Sequence, residues 1–204
     1  MWLSKVNVTF DEIEEHGLTD DCRWKQELYR ACPVVGDRRP FLFRNEGRSI
    51  MVLSREEPKP LTYGQWTIKE IPTGFLNHRK YAFQVLGNPV AKKCWAKDGV
   101  RQKNSIEAPL PPDQYEAWLT RELGKMGCTL ESVICGAKGV KEIRHRQVRA
   151  NGVRDAKESV EKKTFVDFRG ILSVNDKDLF RDRYLEGLGG SKAFGFGLIL
   201  LRPF

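Results

Sequence analysis

The chain has 204 residues, 40% of them hydrophobic, with 11 Phe and 5 Trp, enough to build one large or two small domains with real cores. No apolar stretch approaches the roughly 18 residues of a membrane span, and no signal-peptide pattern precedes the first strand, so the sequence reads as cytoplasmic. A net charge of +8 points to a polyanionic partner, whereas the scattered cysteines and the well-separated His16, His78 and His145 match neither a disulfide framework nor a metal-ligand spacing.

Residues 2–9 alternate as a strand. Asp20 or Asp21 caps a helix over about residues 22–31, in which Trp24, Leu28 and Ala31 recur at near-helical spacing until Pro33 stops it. Phe41 to Arg44 and Ser49 to Leu53 read as strands around an Asn45–Arg48 turn, and residues 62–70 read as a short helix.

The second half begins with a strand, Tyr81 to Leu86, ended by Asn88-Pro89. Pro111-Pro112-Asp113-Gln114 opens a helix with Tyr115, Trp118, Leu119 and Leu123 along one side, and a strand follows around Leu130 to Cys135. From Lys138 to Lys163 the chain is strongly basic, with Arg144, His145, Arg146, Arg149 and Arg154 at its centre. Such a run is either a solvated loop or a surface for nucleic acid, and the two are compatible because loops of this kind often order on RNA. Thr164 to Val174 is a long strand. Asn175 or Asp176 then caps a helix carrying Leu179, Phe180, Tyr184 and Leu185.

The end of the chain is the most distinctive part: Gly187-Leu188-Gly189-Gly190-Ser191-Lys192-Ala193-Phe194-Gly195-Phe196-Gly197, then an apolar strand, Leu198 to Leu201. Glycines let a backbone approach a ligand, and a lysine among them favours an anion. A nucleotide-binding loop is excluded, because too little chain follows for a strand–loop–helix unit and because Ala193 stands where the Walker pattern needs Ser or Thr. A glycine-rich turn before an edge strand explains the composition equally well.

Both halves can be written β-α-β-β-α-β. The expected class is therefore α+β, with tandem ferredoxin-like (βαββαβ) domains over 1–74 and 79–204. The second would carry the basic segment 138–163 and the glycine-rich loop 187–197.

Over nearly its whole length the sequence resembles the CRISPR repeat endoribonucleases, and within them the CasE-type variety of type I-E systems or a divergent type IV relative. The resemblance is carried by Met1-Trp2-Leu3-Ser4-Lys5-Val6, Phe41-Leu42-Phe43-Arg44, Asn88-Pro89, Glu116-Ala117-Trp118-Leu119 and Phe168 through Asp176. Above all it is carried by the terminal loop Gly187 to Leu198. It implies a protein that binds the stem-loop of the CRISPR repeat RNA and cuts the precursor at the stem base without a metal or other cofactor. Attack by the upstream 2′-hydroxyl leaves a 2′,3′-cyclic phosphate, and the protein stays on the mature guide RNA as one subunit of an interference ribonucleoprotein complex.

Such a reaction needs a base for the 2′-proton, an acid for the leaving 5′-oxygen and cations for the phosphoryl charge. In CasE-type relatives a histidine early in the first helix is the principal candidate for the proton work. Aligning the helix end places Lys25 there, with Arg30 one turn further on, Arg23 nearby, and Cys22 where a tyrosine often stands. Lys25 is then an electrostatic catalyst or general acid, or only a phosphate contact in a subunit that binds without cutting; a shifted alignment would bring in His16. The resemblance also implies RNA contacts from the loop, through Gly187, Gly189, Gly190, Lys192, Gly195 and Gly197. Others would come from a basic hairpin entering the groove of the stem, through Arg144, His145, Arg146, Arg149 and Arg154.

Overall fold

The computed structural model describes residues 1–34, 36–97, 100–148 and 154–204, without the side chains of 92–106 and 145–159. The first unit contains β1 (Trp2–Asn7), α1 (Phe10–Glu15), α2 (Asp21–Ala31), β2 (Phe41–Asn45), β3 (Ser49–Ser54) and β4 (Gln65–Glu70). Its strands lie in the order β2-β3-β1-β4, each antiparallel to its neighbour. This is the strand order of a ferredoxin-like sheet. Trp24, Leu28 and Ala31 of α2 meet Val6, Phe41, Phe43, Ile50 and Val52 in one core, so the near-helical spacing marks the face that the sheet buries.

The helix expected over 62–70 is instead β4, paired along β1 from Trp2↔Glu70 to Asn7↔Gln65. Pro58 and Pro60 break the chain ahead of it. Trp66 and Ile68 then alternate with exposed Gln65, Thr67 and Lys69, a period of two that fits a half-covered strand.

The second unit contains β5 (Lys80–Gly87), β6 (Val90–Lys97), β7 (Val100–Pro109), α3 (Tyr115–Gly124), β8 (Cys128–Val148), β9 (Arg154–Val174), α4 (Lys177–Tyr184) and β10 (Ile199–Pro203). Its main sheet runs β10-β5-β9-β8, again antiparallel and in ferredoxin-like order. Strands β6 and β7 form a separate hairpin that the sequence pattern did not mark. The basic run, read as a loop, is strand on both sides of residues 149–153, which lie outside the described residues. β8 and β9 are 21 residues each and pair from Cys128↔Val174 to Val148↔Arg154. Val140 and Val160 are exposed there, so apolar alternation was too weak to reveal it.

Helices α3 and α4 cover the second sheet. Trp118 stacks on Phe168 with ring centres 5.7 Å apart, and Tyr81, Phe180 and Tyr184 pack with their rings tilted against one another. Leu42 and Leu53 of the first sheet belong to this same core, joined by Leu76. Each buried leucine contributes about 1.5–3 kcal/mol, so the two units are held together by a shared apolar interior. Among the described residues no helix is long and apolar enough to cross a membrane.

Candidate nucleic-acid interface

Helix α2 is fixed by its cap: the Asp20 side chain accepts a hydrogen bond from the Arg23 amide at 2.9 Å. Lys25 lies one residue off the buried stripe and reaches the 3₁₀ turn Lys192–Phe194 of the glycine-rich segment, where its Nζ stands 5.6 Å from the centre of the Phe194 ring. Cys22, one turn earlier, keeps its thiol protonated, because burial raises its pKa against the opposing charge of Lys25. The helix of the first unit and the loop of the second thus meet at Lys25.

Asp21 secures the meeting. Its carboxylate is 5% exposed, accepts from Asn45 Nδ2 at 2.9 Å, and lies 2.6 Å from Lys141 Nζ of β8, an ion pair whose angle is poor for a hydrogen bond. Lys141 Nζ also stands 5.6 Å from the centre of the Phe196 ring. Two lysines from different units therefore each face one phenylalanine of the loop. Gly195, between the rings, is left-handed at φ +77°, and a Cβ there would come within 3.4 Å of both Lys141 Nζ and Phe43. Lys141, Asp21 and Asn45 were absent from the sequence-derived candidates. No local pattern links positions so far apart in the chain.

Other loop residues close the chain on itself. Leu188 N–H donates to the Gly197 carbonyl at 2.9 Å, and Gly197 N–H to Leu86 at 3.0 Å. A Cβ on Gly197 would collide with the Leu188 carbonyl, and Gly187 and Gly189 lie against Leu42 and Trp118. Only Gly190 faces open space. Asn88 donates to the Ser191 hydroxyl at 2.8 Å, which anchors the tip. Lys192 is half-buried; burial lowers its pKa, Glu186 opposes this, and Arg39 adds repulsion.

The remaining candidates of α2 point elsewhere. Arg23, Glu27 and Arg30 share a stripe, and Lys25 sits roughly 200° around the helix from Arg23. Arg23 donates to Gln26 at 3.1 Å and to the His16 carbonyl at 3.3 Å, while Arg30 pairs with Glu27 at 3.1 Å. His16 itself stacks on Tyr63 with ring centres 3.9 Å apart. The structure does not bring Arg23, Arg30 or His16 to Phe194.

Arg144 is exposed on β8, on the strand face opposite Lys141 and the buried Ile143. The side chains of His145, Arg146 and Arg154 lie outside the described residues, as does Arg149 altogether. A second polar link joins the units: buried Asp167 accepts from Arg44 at 3.2 Å, Gln84 at 3.0 Å and Arg169 at 2.9 Å. Among the described residues no group of His, Cys, Asp or Glu side chains is placed to hold a metal ion.

Residues 1–203 match the profile of the family described as CRISPR associated protein. Among solved structures, the CRISPR endoribonuclease Cse3 bound to a 19-nucleotide RNA is similar at 22% identity and a TM-score of 0.75, with 100% of each chain covered. The CRISPR-associated protein Cas6e from Escherichia coli K-12 is similar at 24% identity and 0.69, again over 100% of each chain. A chain of a CRISPR RNA-guided surveillance complex in a pre-nicking state gives 16% and 0.74, with the same coverage. These likenesses establish the tandem ferredoxin-like fold. No curated protein matches the sequence.

Proposed function

Because the chain belongs to the CRISPR associated protein family, we propose that it binds the stem-loop of a CRISPR repeat RNA, cuts the precursor at the stem base, and remains on the product as a subunit of a ribonucleoprotein complex. The observation that carries this reading is the junction of α2, the glycine-rich loop and the root of the basic β8–β9 hairpin, where Lys25 and Lys141 stand together with Phe194 and Phe196. A hairpin lying along β8 would bring its base to Lys25. The similar Cse3 is itself described bound to RNA, and a similar chain sits in an RNA-guided surveillance complex.

In this reading the 2′-oxygen bonds to phosphorus as the bond to the 5′-oxygen breaks. An ammonium carries three donors and no acceptor. Lys25 therefore serves as general acid to the leaving 5′-oxygen and as a counter-charge to the phosphoryl oxygens, and the 2′-proton goes to solvent. The products are a 2′,3′-cyclic phosphate and a 5′-hydroxyl, and no metal enters the scheme. Arg23 and Arg30 add only a long-range field from the opposite side of α2. Lys192, the loop backbone at Gly187, Gly189, Gly190, Gly195 and Gly197, and Arg144, His145, Arg146, Arg149 and Arg154 contribute to RNA binding.

A second reading, a hairpin-binding subunit without catalysis, is favoured by one residue: a lysine where relatives use histidine, which cannot shuttle a proton as readily near neutral pH. Incubation of the protein with its repeat RNA in the presence of a chelator separates the two. Fragments ending at the stem base in a cyclic phosphate support the nuclease. Tight binding with intact RNA supports the second reading, and absence of both overturns the assignment.

A further inference from the structure

Arginines also gather past the glycine-rich loop. Lys192 and Phe194 lie two residues apart on a 3₁₀ turn, which advances about 120° per residue, so they leave it in different directions. Phe194 meets Lys25, whereas Lys192 lies within the electrostatic reach of Glu186 and Arg183 at the end of α4. On that side a surface cavity of about 370 Å³ is lined by Arg38, Leu179, Asp182, Arg183 and Glu186.

Glu186 is engaged by Arg55 at 2.8 Å and stands 3.8 Å from Arg38. Among the described residues neither Arg39 nor Arg183 has a carboxylate within ion-pair distance. The lining sets Arg38 and Arg183 against Asp182 and Glu186, and Arg55 adds a third guanidinium at Glu186. These three cations are guanidiniums, whose planar forks suit phosphate oxygens. Leu179 alone is apolar in the lining, which suits a sugar–phosphate backbone better than an apolar peptide.

We propose that this cavity binds phosphates of the single-stranded RNA flanking the hairpin, on the far side of the glycine-rich loop from Lys25. The inference rests on the RNA-hairpin reading above. It makes the loop a divider, with the stem on the Lys141 side and a flank on the Arg183 side.

The test uses the full chain and a hairpin blocked against cleavage by a 2′-deoxy nucleotide at the cut. The hairpin is offered bare, with a 5′ single-stranded flank, or with a 3′ flank. The protein is expected to bind one flanked form more tightly than the bare one. In the R38A/R183A variant about tenfold of that advantage disappears, with a shallower salt dependence on the flanked RNA, while the bare hairpin is bound as before. R38K/R183K, which keeps both charges, retains part of the advantage. Equal weakening on bare and flanked RNA, or none on either, overturns the inference. So does unchanged RNA binding with loss of association to a protein subunit, which would make the cavity a protein-docking surface. A parent that binds the bare hairpin but gains from neither flank contradicts this inference alone. A parent that does not bind the bare hairpin contradicts the functional reading beneath it.

Discussion

The first sheet, β2-β3-β1-β4, and the second, β10-β5-β9-β8, follow the same order of strands, yet they are covered differently. The second carries two packed helices, α3 and α4. The first carries α2, while α1 buries no side chain and a proline-containing loop and β4 follow β3 directly. The first unit makes up for this with the other half of the chain. Leu42 and Leu53 enter the second core, and α2 has as its neighbours the Lys192–Phe194 turn and β8. A repeated fold has become asymmetric, and the candidate site lies where the less complete copy leans on the more complete one.

If that junction does the work, substitutions there should rank by what they remove. Lys25→Ala should slow cutting by about 10²-fold or more, the scale of a lost general acid, with hairpin affinity nearly unchanged; single-turnover kinetics beside a binding titration would show it. Equal rates would transfer catalysis elsewhere on the surface. Asp21→Ala leaves Lys141 without its 2.6 Å partner and Asn45 without its acceptor. With Lys141 22% exposed, the cost should be about 2 kcal/mol, below that of a fully buried pair, and a urea melt at neutral pH measures it. Asp21→Asn, which still accepts from Asn45, should lose less.

Phe194→Leu removes the aromatic face beneath the Lys25 ammonium. A cation–π contact of about 0.5–1 kcal/mol corresponds to cutting slowed roughly threefold, and Phe194→Tyr should restore the rate. The smallest change is expected from Arg30→Ala. Its side chain is 73% exposed and pairs with Glu27 on the other stripe of α2, so stability should fall by less than about 1 kcal/mol and cutting by about twofold. A larger effect of Arg30 than of Lys25 would move the site to the Tyr63 side of the helix.

The contrast between the units also explains what could be read from the sequence. Helices α2, α3 and α4 announced themselves because each buries one stripe against one sheet, and their caps are local: Asp20 for α2 and Asp176 for α4 accept from amides three residues on. Strand β4 was misread because it has only six residues and two inward side chains. The outer part of β8 was missed because Lys138, Val140, Glu142 and Arg144 are all exposed, so no apolar period marks it. The glycine-rich segment was legible as a motif but not as a mechanism. Sequence suggested an anion cradle, whereas several of its N–H groups bind carbonyls of the chain itself and its two phenylalanines face lysines from both units. Lys25 could be placed by its helix, but the Asp21–Lys141 pair joins distant segments and becomes visible only once the units are folded together.

The most direct test of the junction is a photo-crosslink from the cleavage point. A repeat hairpin blocked by a 2′-deoxy nucleotide at the cut and carrying 4-thiouridine beside that phosphate would be irradiated on the protein, and the attached peptides read by mass spectrometry. Crosslinks confined to α2 around Lys25 and to the loop residues 187–197 are the result this account requires. Crosslinks to Tyr63, His16 and the outer stripe of α2, with the loop unlabelled, would contradict it.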